Sequence, residues 1–157
     1  MMVEKQVVQE LKSGLSRKKV FEKMKGVDDD EEIIYHLNNY GTLANQKKYL
    51  VLTLVLVGLV LLVTAKSVFE IVTYGVLDMR TVAALVVPLV NVYILRKLLC
   101  FHKNGFRFLF VLTVLSLVHK HNQYGIGLMV SLAMIILSGF LYRKLFAKEE
   151  LLSEVDA

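Results

Sequence analysis

The stretch YLVLTLVLVGLVLLVTA, residues 49–65, runs for seventeen residues without a single charge. A helix needs roughly 20 mostly apolar residues to cross a bilayer, so a run of this kind restricts the chain to few folds. Three more apolar runs follow, over 76–95, 104–119 and 125–142. The third is the shortest, because its uninterrupted part, FRFLFVLTVLSLV, covers only 106–118. It reaches spanning length when Arg107, His119 and Lys120 snorkel to the membrane boundaries. With 55% hydrophobic residues in 157 and a mean hydropathy of +0.54, the composition fits a membrane protein better than a soluble domain.

The expected fold is therefore an all-α integral membrane protein. Four transmembrane helices over residues 49–142 follow a small three-helix cytoplasmic N-terminal region at 1–48, and a cytoplasmic tail occupies 143–157. The first 48 residues are polar, and the first apolar run is too long and too late for a cleaved leader.

Charge placement sets the expected orientation. Nine Lys and Arg residues precede the first span, and Arg96, Lys97, Lys103 and Arg107 lie between the second and third. Arg143, Lys144 and Lys148 follow the fourth. The opposite side holds Lys66, Arg80 and Lys120. Sixteen basic residues thus fall on one side and three on the other, which places both termini in the cytoplasm. The expected location is a plasma or inner membrane, with anionic headgroups facing the basic side.

Three amphipathic helices are expected in the N-terminal region. VEKQVVQELK puts Val3, Val7, Val8 and Leu11 on one face, and RKKVFEKMKG does the same for Val20, Phe21 and Met24. Ser16 stands at the second helix's N-cap position, and Asp28–Asp30 supply a cap and negative charge before EEIIYHLNNY. About forty residues make a marginal core alone. Arg17, Lys18, Lys19, Lys23 and Lys25, with Arg96 and Lys97, are candidates for docking a partner or lipid headgroups. The competing expectation is that oppositely charged neighbouring helices pair with each other in solvent.

Several positions within the spans stand out. Asp78 and Arg80 lie two residues apart, so they cannot pair on one helix. They read as an outer-boundary cap and a headgroup anchor for the second span rather than an ion path. Pro88 is expected to kink that span by freeing the carbonyl of Ala84. Asn91 must find a partner in hydrocarbon, either across a helix interface or along a pore. Gly127 and Ser131 form a small-xxx-small pair suited to close helix approach. The segment SVFEIVTYGV, 67–76, reads as a lipid-surface helix on the outer side.

His119 and His121 read as a polar turn, since no third metal ligand is near in sequence. Cys100, the sole cysteine, leaves no intramolecular disulfide and no cysteine-based metal cluster. Neither a P-loop, GxSxG or HExxH motif nor a pair of intramembrane carboxylates is found, so no catalytic, cofactor or metal residue is assigned. Nucleic acid is not an expected partner, because no aromatic residues interleave with the basic ones. The expected function is a non-enzymatic accessory or scaffold subunit of a larger membrane assembly, docking through its N-terminal helices. The alternatives are a homo-oligomeric channel or small-solute carrier lined by the kinked second span, and a membrane-shaping protein.

Overall fold

Local periodicity dictates the first part of the chain. A computed structural model describes residues 2–26, 29–74, 85–117 and 125–146. Helix α1, Met2–Lys12, turns at Gly14, whose φ of +91° is open to glycine at little cost. Helices α2, Arg17–Met24, and α3, Asp30–Asn39, follow. Asp29 caps α3, its carboxylate accepting from the Glu31 backbone N–H at 3.3 Å, while Ser16 holds the N-cap position of α2 without a side-chain bond. Val3, Val7 and Leu11 meet Val20, Phe21, Met24, Ile33, Ile34 and Leu37 in one small core, with Tyr40 at its edge.

The remainder is longer and more apolar. Helix α4 is Leu43–Tyr74, α5 is Val86–Leu99, α6 is Lys103–Ser116 and α7 is Ile126–Leu145. Among the described residues no strand joins these seven helices, and an isolated antiparallel bridge pairs Tyr40 with His102. A second core gathers Leu56, Val57 and Val60 of α4, Ile94, Leu95 and Leu98 of α5, Phe106 and Leu109 of α6, and Met134, Leu141 and Leu145 of α7.

Two helices, Leu43–Thr73 within α4 and α7, are long and apolar enough to cross a membrane. In the most apolar window of each only 22% is buried, so most of that surface faces outward, unlike the core helix of a soluble protein. The expected four membrane-length helices are thus met in two. The described parts of α5 and α6 have 14 residues each, about 21 Å at 1.5 Å per residue.

A further expectation changes. Residues 67–74 belong to α4 itself rather than to a separate surface helix. Nothing breaks the helix after Ala65: Ser67 bonds back to the Val63 carbonyl at 3.1 Å, and Lys66 reaches Glu70 one turn on at 3.7 Å. Pro88 lies in the first turn of α5 as described, a position that tolerates a missing N–H. The segment before residue 85, which includes Ala84 and on which a mid-span kink would turn, lies outside the described residues.

Candidate functional site

The α5–α6 turn is built for close approach. Phe101 takes a left-handed φ of +50°, an unfavourable conformation for a bulky side chain, and is held there by burial in the second core. His102 then caps α6, its Nδ1 accepting from the Asn104 backbone N–H at 3.2 Å. Gly105 lies against α5 so tightly that a Cβ there would meet the Lys97 Cβ at 2.8 Å and the Leu98 backbone nitrogen at 3.0 Å. Only glycine fits this crossing.

The N-terminal core is fastened to that turn. The Gly41 N–H donates to the Phe101 carbonyl at 3.2 Å, and the Tyr40 ring meets the His102 imidazole edge-on, with centroids 4.9 Å apart. Tyr40 Oη donates to Glu4 Oε1 at 2.6 Å, so α1 is tied in as well. From α2, Arg17 Nε donates to the Leu37 carbonyl at 3.1 Å and Nη2 to the Tyr40 carbonyl at 2.9 Å. One buried guanidinium therefore closes the C-terminal end of α3 just before the chain enters α4.

This junction perturbs its titratable groups. The Tyr40 hydrogen bond lowers the Glu4 carboxyl below its ordinary value against a smaller opposing effect of burial. Burial first, then the bond to the Glu4 carboxylate, raises the Tyr40 phenol. Burial and the nearby Lys97 ammonium bring His102 down to about 4, so its imidazole is neutral at pH 7. A neutral imidazole can act as the α6 cap; a protonated one would point an N–H at another N–H.

The anticipated positions separate into three groups. Arg17 is buried rather than on the basic face, because the α3 carbonyls bind it. Lys18, Lys19 and Lys23 are exposed on α2 and Lys25 at its C-cap, with Lys23 bonded to Glu10 of α1 at 2.6 Å and Lys25 over the Phe21 ring at 5.6 Å. Arg96 is exposed at the end of α5, and half-buried Lys97 lies 5.9 Å from the Tyr93 ring centroid.

Asn91 bonds across a helix interface within the chain: its amide donates to Thr64 Oγ1 of α4 at 3.0 Å. Ser131 is buried with Met134, Ser138 and Leu141 on the inward face of α7, one turn from half-buried Gly127. The same helix brings Gly139 to within 3.4 Å (from a Cβ placed there) of the Phe110 ring on α6. Asp78, Arg80, His119 and His121 lie outside the described residues.

Linear inspection missed Glu4, Tyr40 and His102. The only signal was NYG at 39–41, a polar end to α3 that looks like a simple linker. An open apolar depression on α4, lined by Leu61, Thr64, Ala65, Val68, Phe69 and Val72, brings no titratable group to its wall. Among the described residues no three His, Cys, Asp or Glu side chains gather as a metal site. Comparison with protein-family models, curated protein sequences and solved structures finds no match.

Proposed function

We propose that this chain is a non-enzymatic accessory or scaffold subunit, embedded in a membrane by four spans with both termini in the cytoplasm. It holds its three N-terminal helices rigidly at the cytoplasmic surface, where they dock a protein partner. The observation that carries this reading is the junction itself. Tyr40 and Gly41 fasten the N-terminal core to Phe101 and His102, so the exposed lysines of α2 are presented in a set orientation rather than on a tether.

The outward apolar surface of α4 and α7 supports a lipid environment, as do exposed Leu89, Val92 and Leu115 on the shorter α5 and α6. The basic residues at the junction end, Arg96, Lys97, Lys103 and Arg107, support a cytoplasmic assignment for it. Polar groups inside the bundle bond within the chain. Thr53 donates to the Tyr49 carbonyl, Thr113 to Leu109, and Asn91 to Thr64. With Asn91 engaged, no specific observation favours the channel alternative.

Native mass spectrometry of the gently extracted full chain tests the scaffold reading. The expected result is a heteromer of fixed stoichiometry that dissociates when Lys18 and Lys19 are replaced by Glu. A chain recovered only alone or as copies of itself would overturn it.

A further inference from the structure

The first turn of α6 carries charges of the wrong sign for its position. The N-terminal end of a helix presents unbonded N–H groups and a partial positive charge, which acidic side chains ordinarily offset. α3 follows that rule with Asp30, Glu31 and Glu32. α6 opens instead with KNGFR and has no acidic residue in its first turn.

Lys103 and Arg107 are four residues apart, hence on one face. Arg17 reaches the same place from α2: it holds the Tyr40 carbonyl, and the Tyr40 ring packs on His102, the residue before Lys103. Lys103 is half-buried, and burial together with the positive fields of Arg17 and Arg107 lowers its ammonium below the usual lysine value. Among the described residues no carboxylate lies within ion-pair distance of Lys103 or Arg107. Like charges gathered at a positive helix end repel, and a fold that keeps local rules elsewhere tends to break them at a functional site.

What would relieve this arrangement is a polyvalent anion. Arg107 is exposed and offers a planar fork of donors suited to phosphate oxygens, and Lys103 adds a point charge. The Asn104 N–H is already taken by His102, so side chains rather than the helix end supply the recognition. Beyond Arg107, α6 turns apolar at once, with Val111, Val114 and Leu115 exposed.

We propose that Lys103 and Arg107, backed by Arg17, bind a phosphate group, presented in the bilayer by an anionic phospholipid whose acyl chains follow Val111, Val114 and Leu115. The lipid source rests on the membrane reading above; the phosphate chemistry rests on Lys103 and Arg107.

The test uses the full chain purified in neutral detergent. Native mass spectrometry counts bound phosphatidylglycerol against phosphatidylcholine, and thermal unfolding is followed with each lipid and with inorganic phosphate at low ionic strength. The wild-type chain should retain the anionic lipid in preference by about tenfold, the size of one charge-assisted contact. Lys103→Gln with Arg107→Gln should lose that preference, whereas Lys18→Gln with Lys19→Gln should keep it. Lys103→Glu should raise the resting unfolding temperature and abolish the response to the anion, a pair of effects that a purely structural lysine would not produce.

A double Gln variant that keeps the preference would overturn the site. If inorganic phosphate stabilises the wild type but not that variant, while the two lipids act alike, the site stands and its lipid source falls. A chain stripped from membranes by alkaline carbonate would overturn the membrane reading alone, and the phosphate titration would still decide the site.

Discussion

Arg17 donates from two nitrogens to the carbonyls of Leu37 and Tyr40, which the C-terminal end of α3 leaves without helical partners. A lysine keeps the charge but has no rigid fork to reach both. Arg17→Lys should therefore destabilise the chain by about 2 kcal/mol, the cost of a lost hydrogen bond and an orphaned buried carbonyl. Thermal unfolding in detergent measures it. His102 gives a pH dependence with a definite sign. Its folded value of about 4 lies below the ordinary 6.5, so the unfolded chain binds the extra proton first. The contribution is fully present above about pH 6.5 and is lost as pH falls toward 4, by about 1–3 kcal/mol. Asparagine can cap α6 without titrating. His102→Asn should flatten the stability profile between pH 6.5 and 4.5, above the range where Glu4 takes up its proton; an unchanged slope would exclude His102 as the cause.

At the scale of elements, two glycines make opposite predictions. The Cβ of an alanine at position 105 would strike the Lys97 Cβ and the α5 backbone, none of which can swing aside. Gly105→Ala should cost about 1–3 kcal/mol by forcing α5 and α6 apart. Gly58, on the outward face of α4, meets nothing within 4 Å. Gly58→Ala should be neutral or stabilising by up to about 1 kcal/mol, from helix propensity alone. Paired melting curves of the two variants separate crossing geometry from propensity. The length of α4 follows similar local logic. No proline or glycine interrupts residues 59–74, and the Lys66–Glu70 and Ser67–Val63 contacts carry the helix on to Tyr74.

For the whole molecule, orientation is the accessible quantity. Cys100 is exposed beside the junction and is the chain's sole cysteine, so it reports which side that end occupies. With the junction in the cytoplasm, a membrane-impermeant maleimide added to intact cells should leave Cys100 unlabelled. Permeabilisation should then expose it to full labelling. Labelling of intact cells would reverse the proposed topology. The outward apolar surface of α4 and α7 also predicts that alkaline carbonate leaves the chain in the membrane pellet.

Patterns with a short period were legible in the residues themselves. The inward faces of α1 and α2 follow from apolar spacing, the opening of α3 from its aspartates, and the all-helical class from long uncharged runs. These properties are local, and each is decided within a few turns of chain. Tertiary structure alone decided the rest. Whether Arg17 faced water or a core depended on carbonyls at 37 and 40, and the partner of Asn91 was a threonine on another helix. The junction brings positions 40 and 102 together in an aromatic contact, beside the backbone bond from Gly41 to Phe101. No periodicity encodes such pairings, because they arise only when separate helices, each formed for its own local reasons, pack against one another.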